Sequence, residues 1–78
     1  MIRRMDIILD TPSPEAIKAA RERAGHTQAQ AAAAVGLANK IRWSEYERGV
    51  CPMDPVRWSV YLLLTDQHPT HRIAKRRP

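Results

Sequence analysis

The sequence predicts an all-α fold, a compact domain of four helices with room for a fifth and with a short N-terminal strand as an option. Three observations carry this. Helix start and stop signals recur four times between residues 14 and 66. Apolar residues inside those segments recur at helical rather than strand spacing. Outside them only MDIIL, near the N-terminus, and the weakly alternating THRIAK, near the C-terminus, read as strand, and THRIAK is either a partner for MDIIL or without regular structure. With 78 residues there is material for one small domain and one modest core. The division is an arm or short strand over 1–13, the helical domain over 14–66 and a basic tail over 67–78.

In Thr11-Pro12-Ser13-Pro14 the serine is an N-cap, Pro14 takes the first helical position where its missing N–H costs nothing, and Glu15 meets the positive end of the helix dipole. The first helix runs from about Pro14 to Ala24, turns Ile17, Ala20 and Ala24 inward, and stops at Gly25. Thr27 opens the second, with Gln30 three residues on completing a capping box, and Gly36 ends it. Asn39 caps a third helix reaching about Glu47, stopped by Gly49 and Pro52. Asp54-Pro55 starts a fourth, VRWSVYLLLT, which fades from Asp66 to Pro69.

The chain has no phenylalanine, so Trp43, Tyr46, Trp58, Tyr61 and the leucines are expected to supply most of the burial. No apolar run is long enough to span a bilayer, and MIRRMDIILD makes a poor secretory signal because an aspartate interrupts its apolar run. Cys51 is the single cysteine and cannot form an internal disulfide, which fits a reducing, cytoplasmic location. Thirteen basic against eight acidic residues give a net charge of +5, which in so small a domain points to a polyanionic partner. The basic residues cluster at Arg3 and Arg4, at Arg72, Lys75, Arg76 and Arg77, and inside the folded region.

TQAQAAAAVGL is thinly furnished, and its alanines have a use. Where two helices cross at close range over a tight turn, the crossing needs a residue with almost no side chain and the turn needs one that tolerates positive φ. Ala32 and Gly36 stand where those demands fall. Thr27-Gln28, Ala32, Gly36 and Tyr46-Glu47-Arg48-Gly49, with a basic helix before and an apolar helix after, resemble the Cro and phage-repressor type of helix-turn-helix protein, the Xre family, over about residues 14 to 65. Such proteins are typically dimeric transcriptional regulators, often of phages and mobile elements. Ala31 departs from the family, where a larger apolar residue is usual, and Trp43 is expected to fill the space. Between Gly36 and Tyr46 there is one residue more than the usual spacing, so either the turn is longer or the third helix starts differently.

At 100° per residue Trp43 and Tyr46 share one face of the third helix and are expected in the core. The family pattern, carried back from Tyr46, implies base-edge contacts from Lys40, Ile41 and Glu45, with Arg42 and Ser44 flanking. Lysine donates to guanine, glutamate accepts from cytosine N4 and isoleucine meets a thymine methyl. The resemblance also implies a phosphate contact from Gln28 at the start of the second helix, and Asn39 and Arg48, at the two ends of the third helix, are further phosphate candidates. It implies a structural pair between Arg21 and Glu47, tying the first helix to the third.

His26, His68 and His71 have no nucleophile or acid arranged with them, His68-Pro-Thr-His71 lacks further metal ligands, and all three are expected to be ordinary surface histidines. No enzyme, cofactor or metal is expected. The reading is a regulator, a repressor, that binds an inverted repeat of double-stranded DNA as a homodimer through the major groove, because one such helix reads only a few base pairs. Two alternatives stay open: the antitoxin of a toxin-antitoxin pair, and a protein-binding adaptor.

Overall fold

The computed structural model describes residues 11–70. These form four helices, α1 (Pro14–Ala24), α2 (Gln28–Ala34), α3 (Lys40–Glu47) and α4 (Pro55–Leu64), and among the described residues there is no strand. The all-α class is as the punctuation predicts. The MDIIL strand, the segment from His71 onward and both terminal basic clusters lie outside the described residues.

Each helix begins as its sequence dictates. Ser13 Oγ accepts from the Ala16 N–H at 3.0 Å, and Thr27 and Gln30 form a reciprocal box, with Thr27 Oγ1 accepting from Gln30 N–H at 3.1 Å and Gln30 Oε1 accepting from Thr27 N–H at 2.8 Å. Asn39 Oδ1 accepts from Ile41 N–H at 2.9 Å and Asp54 Oδ2 from Arg57 N–H at 3.3 Å. A cap contributes about 1 kcal/mol. That matters most for α2 and α3, whose 7 and 8 residues are too short to hold helix in isolation.

The α2–α3 turn covers residues 35–39. Gly36 adopts φ +81° with nothing within 4 Å of where a Cβ would stand, so glycine is required there by its dihedral rather than by space. The Leu37 N–H donates back to the Ala32 carbonyl at 2.9 Å, closing the end of α2. The phase of α3 is the one its helical angle predicts, with Trp43 and Tyr46 both buried.

The core consists of Ile17, Ala20, Ala31, Ala32, Trp43, Tyr46, Met53 and Tyr61. Ala31 and Ala32 are fully buried beneath α3, and Trp43, also fully buried, lies with its ring centroid 4.9 Å from that of Tyr61 and 6.2 Å from that of Tyr46. The small residues of α2 thus admit the large one of α3. The leucines do not supply the burial expected of them. Leu37 and Leu62 only flank the core, Leu64 is half exposed and Trp58 is half-buried. On α4 it is Tyr61 that faces inward, so Leu62 and Leu63 fall roughly 100° and 200° round the helix from the buried face. Met53, from the loop before α4, fills the remaining space, its unbranched side chain suited to an irregular gap.

Candidate nucleic-acid interface

The inward side of α3 is fixed by a polar lock as well as by aromatic packing. Glu47, in its last turn, accepts from Arg21 Nε at 2.6 Å and Nη2 at 3.2 Å, from the Trp43 indole Nε1 at 2.6 Å and from Gln28 Nε2 at 3.1 Å. One carboxylate therefore joins α1, α2 and α3. The Arg21 and Glu47 side chains are 15% and 6% exposed, so water screens the pair only weakly. Burial pushes the Glu47 carboxyl up, but hydrogen bonds from Arg21, Trp43 and Gln28 outweigh it and hold its pKa below the ordinary value. The hydrogen bond to Glu47 in turn raises Arg21. Arg21 also donates through Nη1 to the His26 carbonyl at 3.1 Å. The bidentate Arg21–Glu47 geometry is the one the sequence resemblance implied. The parts played by Trp43 and Gln28 were not legible, because neither spacing nor residue type marks an indole N–H for a carboxylate four residues on.

With that face occupied, α3 turns the rest outward. Lys40, Ile41 and Arg42 are exposed and Ser44 and Glu45 half-buried. Ile41, at 62% exposure, is an apolar side chain presented to solvent amid polar ones. Arg42 Nε lies 3.1 Å from Glu45 Oε1, so two of the residues assigned from sequence to base edges are paired with each other. At 58% and 29% side-chain exposure such a surface pair holds by about 0 to 1 kcal/mol and yields readily to a stronger partner. Leu37, Asn39, Ile41, Arg42 and Arg57 line a groove of about 440 Å³ beside this face. Arg57, on α4, reaches it while donating through Nη1 to Tyr46 Oη at 3.1 Å, and no sequence signal singled it out.

Gln28, assigned from sequence to a phosphate, is turned by Glu47. One amide N–H is spent on the carboxylate, leaving the other hydrogen of Nε2 for a phosphate. Arg48 is exposed and donates through Nε to Ser44 Oγ at 3.2 Å. Asn39 is exposed, but its Oδ1 is committed to capping α3, which leaves only its amide N–H groups to meet phosphate. The five base-edge candidates, Asn39 and Arg48 are thus brought together by α3, and Gln28 adjoins them through Glu47.

His26 corrects the expectation of ordinary surface histidines. It is half-buried, with Nδ1 2.8 Å from Tyr61 Oη and its ring edge-on to the tyrosine, because the tight α1–α2 turn carries it over the buried end of α4. Burial raises the Tyr61 phenol above its ordinary pKa, with Arg21 opposing and Glu47 reinforcing. Gln67, placed from sequence in the basic tail, donates to the Ala20 carbonyl at 3.1 Å and accepts from Arg23 Nε at 2.9 Å, which fastens the end of α4 to α1. Among the described residues no group of three or more His, Cys, Asp or Glu is placed to hold a metal ion, and no helix is long and apolar enough to cross a membrane.

Comparison of the chain with protein-family models, with curated proteins and with solved structures finds no match.

Proposed function

We propose that the chain is a sequence-specific double-stranded DNA-binding transcriptional regulator, a repressor of the Xre helix-turn-helix type acting in the cytoplasm. The observation that carries this is the division of α3. One side is locked to α1 and α2 through Trp43, Tyr46 and Glu47, and the other presents Lys40, Ile41, Arg42, Ser44 and Glu45 with little to do for the fold. A rigid helix with a varied polar and apolar outer face is what reading base edges in a major groove requires. The net charge of +5 supplies the sequence-independent attraction to phosphates. Lys40 and Arg42 act as donors to guanine, Glu45 as an acceptor from cytosine and Ile41 as the contact for a thymine methyl. Gln28, Asn39 and Arg48 grip the backbone on either side. Two copies on an inverted repeat, about one helical turn or 34 Å apart, give the site length that one short helix lacks, and a bound dimer over a promoter blocks polymerase.

A titration of duplex binding against salt tests the reading. A steep linear fall of log affinity with log salt supports it, and salt-insensitive binding or none rejects it in favour of a protein-binding module. The exposed apolar side chains of α4 are the observation that favours that second reading, as antitoxin or adaptor, in which they meet a different protein.

A further inference from the structure

Arg21 and Arg42 each meet a glutamate of α3, at 2.6 and 3.1 Å. Arg57, half-buried on α4, is fixed instead by a hydroxyl, its Nη1 donating to Tyr46 Oη at 3.1 Å. Tyr46 is itself buried and packed edge-on against Trp43, so the oxygen that fixes the guanidinium cannot wander. A bond of this kind orients a cation without neutralising it. Arg57 faces the groove of about 440 Å³ that Asn39, Ile41, Arg42 and Glu45 also line, a volume within the roughly 300–1,000 Å³ of ligand sites. Glu45 is taken by Arg42, and two arginines against one glutamate leave the groove one positive charge. Asp54 does not cancel it, since that carboxylate caps α4 and lines a separate notch. Asn39 adds a donor: its Oδ1 caps α3, which leaves the amide N–H groups as what it offers a ligand.

We infer that this groove is a phosphate site, with Arg57 holding the anion, the Asn39 amide as a second donor, and Tyr46 as a positioning residue that acts through Arg57. The bond to Tyr46 occupies Nη1 and leaves the edge formed by Nε and Nη2, the fork that matches two oxygens of one phosphate. An arginine already held gives up little freedom when the anion arrives. Donors from two residues suit the spread oxygens of a tetrahedral phosphate better than the planar pair of a carboxylate, and one net positive charge matches a singly charged ester. That ester belongs to a duplex backbone or to a free molecule. Assigning it to a duplex rests on the DNA-binding reading; the site itself does not.

Two arms test it, on chains shown by circular dichroism to be folded. In the first, affinity for a random duplex is measured at several salt concentrations. Arg57→Ala is expected to weaken it and to lower the salt slope by about one unit, and Arg57→Lys to keep the slope while recovering only part of the affinity. Tyr46→Phe is expected to weaken binding in the parent and to have no further effect in the Arg57→Ala chain. In the second arm, inorganic phosphate, a nucleoside monophosphate and acetate are titrated at fixed ionic strength against the Arg57 Nε–H and Asn39 amide resonances. A lower slope in Arg57→Ala assigns the phosphate to the duplex backbone. A saturable shift with either phosphate probe, beyond that with acetate and lost in Arg57→Ala, assigns it to a free ester, whether or not the chain binds duplex. No such shift, together with a parental slope in Arg57→Ala or no duplex binding at all, overturns the inference; the DNA-binding reading survives the first case and falls with it in the second. A Tyr46→Phe loss that is equal in both backgrounds overturns the positioning role.

Discussion

Replacing Glu47 by alanine is expected to destabilise the domain more than replacing the arginine that pairs with it. Arg21→Ala removes the two hydrogen bonds to Glu47 at 2.6 and 3.2 Å and the one to the His26 carbonyl at 3.1 Å but leaves the carboxylate with the Trp43 indole and the Gln28 amide. Breaking a buried pair costs about 3 to 5 kcal/mol. With the two side chains 15% and 6% exposed and two donors left on Glu47, about 2 kcal/mol is expected for Arg21→Ala. Glu47→Ala strands the guanidinium and also orphans an indole N–H in a tryptophan that is fully buried, a further cost of about 1 to 3 kcal/mol. A loss of about 3 to 5 kcal/mol is a large fraction of the 5 to 15 kcal/mol total of an ordinary domain. Urea unfolding followed by tryptophan fluorescence reads both variants. The Arg21→Ala midpoint should fall and the Glu47→Ala midpoint should fall further, with the slope unchanged, and the double variant should cost less than the sum. If Arg21→Ala costs as much as Glu47→Ala, or both unfold like the parent, Glu47 is not the joint of three helices.

The depressed Glu47 pKa has a defined pH signature. The folded value lies below the ordinary 4.5, so its contribution to stability is fully present above that value and is lost as pH falls through the folded one; the stability gap between parent and Glu47→Gln should be constant near neutrality and shrink below pH of about 4.5, and a gap that widens instead contradicts the assignment. Arg48→Ala should weaken binding to every duplex alike and lower the salt slope by about one unit, read from affinities at several salt concentrations. Arg42→Ala or Glu45→Ala should cost about 1 to 3 kcal/mol on the selected operator and change the preferred base at one position of each half-site, with random-duplex affinity much less affected. Retained sequence preference in both variants, alongside its loss in folded Trp43 or Tyr46 variants, would mean that the outward face of α3 is assigned backwards.

Much of the fold was legible because its signals are local. Ser13, Thr27 with Gln30, Asn39 and Asp54 each cap the helix that follows, and Gly25 and Gly36 supply positive φ where helices stop. Ala32 follows from the demand of a close helix crossing, and the phase of Trp43 and Tyr46 from helical angle. What was not legible depends on contacts across the chain. The leucines of α4 attracted attention by composition, yet Tyr61 and the loop residue Met53 hold the core, because which face of α4 turns inward is decided by the space that α1, α2 and α3 leave. His26 on Tyr61, Gln67 on Ala20 and Gln28 on Glu47 join residues 35, 47 and 19 positions apart, beyond any local pattern. At the candidate interface the residue types were visible, whereas the Arg42–Glu45 pairing and the reach of Arg57 into the same groove required coordinates.

Reading of base edges by the outer face of α3 is tested most directly by selection of bound sequences from a random duplex pool. Enrichment of one inverted repeat is expected, its half-sites about 10 base pairs apart centre to centre, with affinity for it falling steeply as salt rises. Recovery of the pool without any enriched sequence, from protein shown to be folded, would contradict it.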